Sequence, residues 1–164
     1  MKRFILSIAV LLGFISAAAA QDPKMVANYL KSMGSSEVLF TMSGTGLDGT
    51  EFKAQEGKLE VQYPDFRIEA AGHLIYCKGD TLWLYNPKTE EVVISDSMLG
   101  ALMADSSITV GNDGKPVLTF SNKNGSRMTF ILKKVIPHDK WLGNHFILDT
   151  KSLGDDVIVT DMRK

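Results

Sequence analysis

Cysteine is almost missing from this chain: Cys77 is the only one in 164 residues. A lone cysteine makes no internal disulfide and no Cys-based zinc site, so packing must hold the fold together. Within its apolar stretch it reads as a small buried hydrophobe, with a reactive thiol as the alternative. Histidine is nearly as sparse. His73, His138 and His145 show neither H-x-x-x-H nor H-E-x-x-H spacing, which leaves zinc chemistry without support. A G-x-S-x-G elbow is absent. The acidic pairs Glu90-Glu91 and Asp155-Asp156 fall beside turns or strand ends, where solvated surface is their expected role. The chain is therefore expected not to be an enzyme, and no metal or cofactor is expected. Neither sign of charge dominates, since 18 Lys and Arg face 19 Asp and Glu. The absence of a long basic run argues against a nucleic-acid footprint.

Long apolar runs are confined to the first 20 residues. Lys2 and Arg3 form a positive region, Phe4 to Ile15 an apolar one, and Ala18-Ala19-Ala20 a small-residue cleavage site. This pattern predicts a secretory signal peptide over 1–20, cleaved after about Ala20, and a periplasmic destination. No later stretch approaches the roughly 18 apolar residues of a membrane helix, so the mature protein is expected to be soluble and not membrane-spanning. Residues 21–164 are long enough for a single domain with one core.

What is present is mainly strand. One helix is predicted first: Asp22 suits an N-cap, Pro23 the first helical position and Gly34 the stop. Met25, Val26, Tyr29, Leu30 and Met33 recur along one side of it. That stripe reads either as core against a sheet or as a movable cover over a cavity. Val38, Phe40 and Met42 then alternate, before a G-x-G-x-x-G match at residues 44–49. A strand pattern resumes at Glu51 where a nucleotide-binding loop needs a helix, so these glycines are read as hairpin residues. Apolar parity switches between Phe52-Ala54 and Leu59-Val61-Tyr63, and a bulge at Gly57 would bend the strand and curve the sheet. Strands follow near 66–69, 74–77, 81–85, 91–95, 108–110, 117–120, 128–132, 145–148 and 157–160, about 10–11 strands in all. Asp96 is read as the cap of a second helix carrying Met98, Leu99, Leu102 and Met103. Lys133-Lys134 lead into the Pro137 break and the loop that carries Trp141, either a docking tip or an ordinary connection.

The stretch from Gln55 to Pro87 is the most informative. Leu82-Trp83-Leu84-Tyr85 places large apolar side chains on both faces of one strand, so neither face can simply meet water. The expected fold is a strongly curved antiparallel sheet, an incomplete barrel closed by two or more helical covers over an apolar cavity.

The order of a secretory signal, an amphipathic helix, Q-x-G-x-L-x-V-x-x-P-x-F-R at 55–67 and G-D-T-L-W-L-Y-N-P at 79–87 resembles the periplasmic outer-membrane lipoprotein carrier family, LolA. The resemblance covers most of the mature chain in order and spacing. It implies a chaperone that shelters the acyl chains of lipoproteins and carries them from the inner to the outer membrane. It also implies an inner-membrane release transporter and an outer-membrane receptor as partners. Tyr63 stands where the family keeps a gating arginine before its proline, and Ile68 where an aromatic is common. No gating role is carried over to Arg67.

The candidate acyl-chain lining is Val38, Phe40, Met42, Leu59, Val61, Tyr63, Phe66, Ile68 and Trp83, with Val26, Tyr29, Leu30, Met98 and Leu102 on the lid helices. For Trp83 the opposite face competes, because Leu82 and Leu84 flank it. A monomer is expected. The alternative function is a non-catalytic periplasmic lipid-binding or envelope-sensor module on the same scaffold.

Overall fold

The computed structural model describes residues 23–45, 48–97, 105–121 and 125–163. Helix α1 spans Pro23–Ser32. Val26, Tyr29 and Leu30 are buried on one side of α1, with Met33 buried just past its end, while Lys24, Asn28 and Lys31 are exposed on the other side. The helix ends as expected: Gly34 takes φ 63°, and its N–H donates to the Lys31 carbonyl at 3.2 Å. Glycine is favoured there because only it enters the left-handed region without a Cβ penalty.

Ten strands follow. They are β1 (Ser35–Thr45), β2 (Glu51–Gln62), β3 (Asp65–Ala70), β4 (His73–Lys78), β5 (Thr81–Asn86), β6 (Glu91–Asp96), β7 (Ser106–Val110), β8 (Pro116–Ser121), β9 (Arg127–Pro137) and β10 (Ile158–Asp161). They form one sheet in the order β10-β6-β5-β4-β3-β2-β1-β9-β8-β7. Every pairing is antiparallel except β10 with β6. Tight hairpins make the run β2 to β6 a meander. At one of them Ala71 and Gly72 both take positive φ, 54° and 75°, the geometry a two-residue hairpin demands.

This corrects the expected incomplete barrel closed by two or more helical covers. Closure requires the two edge strands to pair, but β10 instead adds to β6 in parallel and leaves β7 and β10 as opposite edges of an open sheet. Among the described residues there is a single α-helix, α1, with one 3₁₀ turn at Thr150–Leu153. Asp96, read as the cap of the second helix, is the last residue of β6, and the helix itself falls on residues outside those described. Met98, Leu99, Leu102 and Met103, read as a second cover, lie outside the described residues.

Two further readings change. Gly57 is not a bulge: it pairs in register with Phe40, and the register shift lies between Met42 and Gly44, opposite residues 52–55. Gly57 has another job, since a Cβ on it would collide with the Phe40 ring, 2.5 Å from its Cε2 and nearer still to Cζ. The glycine lets that ring lie flat on the neighbouring strand. Residues 145–148 alternate in burial, with Phe146 and Leu148 inside, yet form turns rather than a strand. His145 N–H donates to the Leu142 carbonyl and Ile147 N–H to the Asn144 carbonyl, so local bonds replace the ladder. Lys133 and Lys134 lie within β9, and Pro137 ends it.

Candidate functional site

Side chains directly opposite one another in a ladder point to the same face, so the register sorts the sheet. One face carries Val38, Phe40 and Met42 of β1 with Leu59 and Val61 of β2 and Phe66 and Ile68 of β3. Helix α1 packs here. Val26, Tyr29, Leu30 and Met33 close over Val38, Phe40, Met42, Val61, Ile108, Leu118 and Leu132 as one buried cluster. Phe40 is 1% exposed and meets Phe130 edge-on, with ring centroids 5.2 Å apart. Burial pushes the Tyr29 hydroxyl up to about 12.

Among the described residues the cover stops partway. Leu59, Tyr63, Phe66 and Ile68 lie at its border, half-buried against the cluster. Beyond it the same face continues with Ile75 and Leu84, then Val93, all half-buried and in neither packed cluster of the described residues. The result is one apolar row from Val93 through Leu84, Ile75, Ile68, Leu59 and Val38 to Val135. Its six inter-strand spacings, at roughly 4.8 Å each, span roughly 29 Å. A second row beside it holds Val61, Phe66, Cys77 and Leu82. Burial pushes the Cys77 thiol up, as befits a packed hydrophobe.

Of the residues singled out from the sequence, the structure gathers Val26, Tyr29, Leu30, Val38, Phe40, Met42 and Val61 into that buried cluster, with Leu59, Tyr63, Phe66 and Ile68 at its edge. Trp83 is not with them. It pairs with Tyr76 and Ile94 on the opposite face, and packs with Tyr85, Val92, Leu148, Leu153 and Val157. Met98 and Leu102 are outside the described residues. Sequence reasoning passed over Ile75, Leu84 and Val93 as site residues. Their signal was the shared parity of consecutive hairpin strands, which the two-residue turns at 71–72 and 79–80 and the four-residue loop at 87–90 preserve.

The opposite face is closed by the segment after β9. Its anchor is Glu60, only 6% exposed, which accepts from Arg67 Nη1 at 2.9 Å and His145 Nε2 at 2.9 Å and pairs with Lys58 Nζ at 3.1 Å. Burial alone would raise the Glu60 carboxyl, but these donors outweigh it and hold it at about 2. The Trp141 ring is stacked between His138 and His145, with centroids 3.6 and 4.2 Å away. Trp141 is thus a tether on the sheet. Among the described residues no group of three or more His, Cys, Asp or Glu is placed to hold a metal ion.

Among the described residues these features define a class: an open, mostly antiparallel sheet with one apolar face, one half of it packed under α1 and the other half-buried outside that cluster. No protein-family model matches the chain. Over 96 residues it is 31% identical to the outer-membrane lipoprotein carrier protein of Yersinia pestis bv. Antiqua (strain Angola), a match covering 56% of this chain and 48% of that protein. The carrier protein of Yersinia pseudotuberculosis serotype O:3 (strain YPIII) matches to the same extent. That of Edwardsiella ictaluri (strain 93-146) is 30% identical over 97 residues, again covering 56% of this chain and 48% of its own. The chain spans about half the length of the curated relatives it matches. Among solved structures, an uncharacterized conserved protein from Thermus thermophilus aligns with TM-score 0.48 and 11% identity, over 84% of this chain and 98% of that one. No described helix is long and apolar enough to cross a membrane.

Proposed function

We propose that this protein is a non-enzymatic, monomeric lipoprotein carrier of the periplasm, and that it holds acyl chains on the half-buried row through Ile68, Ile75, Leu84 and Val93. The observation that carries this reading is the continuity of that row across consecutive strands on one face. The part of the row beyond the packed cluster, from Ile68 to Val93, has three inter-strand spacings, roughly 14 Å, close to the about 15 Å that is half of a ~30 Å bilayer core, so it accommodates most of an extended acyl chain. The apolar run at the amino terminus supports delivery across the inner membrane. The likeness to lipoprotein carriers supports the cargo class, with an inner-membrane release transporter and an outer-membrane receptor as donor and acceptor.

The experiment is binding of a fluorescent diacylated lipopeptide to the protein and to Ile75→Asp and Leu84→Asp. Each substitution puts a carboxylate in the row at a half-buried site, where it keeps access to water. The expected result is at least roughly tenfold weaker binding with the fold retained, since an ion facing hydrocarbon costs several kcal/mol. Unchanged binding in both variants refutes the assignment. Native mass spectrometry of protein taken from the periplasm tests the cargo: bound lipoprotein supports the carrier, and a free lipid alone contradicts it.

A further inference from the structure

Where the end of α1 meets the start of β1 and the end of β2, the surface forms a cleft of about 310 Å³ lined by Lys31, Gly34, Ser35, Gln62, Tyr63 and Lys140. Two cations from distant parts of the chain share this volume. Among the described residues neither is ion-paired: Lys31 Nζ lies over the Tyr63 ring, 5.4 Å from its centroid, and Asp139 makes no ion pair with Lys140 beside it. The position of Lys140 is built, not incidental. On one side of it His138 N–H donates to the Ser35 carbonyl at 2.9 Å, and on the other Trp141 N–H donates to Gln62 Oε1 at 3.0 Å. Gln62 Oε1 also accepts from Ser35 Oγ at 2.9 Å, which leaves the amide NH2 as its remaining polar function.

The cleft thus offers donors and positive charge with no carboxylate in its lining. Two ammonium groups on one concave wall repel each other, and an anion between them reverses the sign of that interaction. The carbonyls ending α1 carry about half a negative charge and offset Lys31 only in part. The volume is at the small end of the ~300–1,000 Å³ of ligand pockets, the scale of a phosphate with a glycerol unit. Tyr63 joins the cleft to the apolar side, because it also packs against the cluster beneath α1.

We infer that this cleft binds a phosphate-like oxyanion, supplied by the headgroup of an anionic phospholipid whose acyl chains lie on the apolar face. The headgroup source rests on the acyl-chain reading above; the oxyanion site does not. The test follows amide NMR shifts of Lys31, Ser35, Gln62, Tyr63 and Lys140 in the full chain. It is titrated with inorganic phosphate and, separately, with dihexanoyl phosphatidylglycerol below its micelle concentration. Saturable shifts with both are expected, the lipid being tighter, and each weakened roughly tenfold or more in the Lys31→Gln/Lys140→Gln variant. Both lysines are exposed, so the unfolding midpoint of the variant should stay in place. Response to phosphate alone keeps the site and overturns the headgroup source. No saturable shift with either probe, or shifts unchanged in the variant, overturns the site. Loss of lipopeptide binding in Ile75→Asp is read independently, so failure of one reading does not mask the other.

Discussion

Glu60→Gln removes the charge that fastens the segment after β9 to the sheet. In the folded protein the carboxylate is met by Arg67 and His145, each at 2.9 Å, and by Lys58 at 3.1 Å. Burial disfavours its ionised form, but the donors prevail and bring it from 4.5 to about 2. That depression corresponds to on the order of 3 kcal/mol of folding free energy at neutral pH. Loss of one partner from a buried ion pair costs a similar ~3–5 kcal/mol. Because Lys58 and Arg67 keep some contact with water, about 2–3 kcal/mol is expected. The sign follows from the depressed value: this stability is fully present above about pH 4.5 and is lost as pH falls through about 2. Urea unfolding is followed by tryptophan fluorescence, since Trp83 and Trp141 both report on this face. The variant should be less stable at pH 7, with the gap to the wild type falling by roughly half or more at pH 3. A gap below about 0.5 kcal/mol at pH 7, or one that does not change with pH, refutes the role given to Glu60.

Gly57→Ala should lower stability by about 1–3 kcal/mol, because its Cβ would sit 2.5 Å from Cε2 of a Phe40 ring that is 1% exposed and has nowhere to go. Thermal melting checks this, and an unchanged midpoint contradicts it. Phe40→Asp should abolish the folded state altogether, as judged by amide NMR dispersion, because it buries an unpaired carboxylate beneath α1. A folded Phe40→Asp protein would show that α1 is not packed as core. Tyr29 should ionise near 12 in an absorbance titration, against 10.0 for a free side chain, with stability falling as pH rises through that interval. Ionisation of all four tyrosines near 10 while the protein remains folded contradicts the burial of Tyr29.

Local pattern was legible where it was set by neighbours in the chain. The stripe of α1, its Gly34 stop, the strands from β1 to β6 and the break at Pro137 all follow from spacing and turn chemistry. The change in parity in β2 was legible too, but not its place. Gly57 looked like the irregular residue, when it is the flat seat of Phe40 and the extra residue lies between Phe52 and Gln55. Burial alternation at 145–148 was read as a strand because the pattern cannot say whether backbone bonds run to a neighbour or back into a turn. Closure was the largest misreading. It depends on which edges meet, and β10 reaches β6 through a parallel pairing that no local signal announces.

The two-faced strands β4 and β5 raised the question of what each face meets, and the two answers differ in kind. One face holds Tyr76, Trp83 and Tyr85 under a segment tied by Glu60, Gln62 and the stacked Trp141. The other holds Ile75 and Leu84 beyond the reach of α1. A ligand on the first face would have to displace a buried charge network, whereas on the second it needs only to lie along the row. The energetics suit a carrier. A chain of roughly 16 carbons is worth on the order of 12 kcal/mol when fully buried, at about 0.8 kcal/mol per methylene. Laid on an open row with one side covered, about half of that is realised. Roughly 6 kcal/mol lies between the ~4 of a millimolar complex and the ~8 of a micromolar one. Such a hold is strong enough to keep an acyl chain out of water for a time and weak enough to surrender it to a deeper apolar site. The residues under α1, whose exposure is near zero, would grip only after the helix moved.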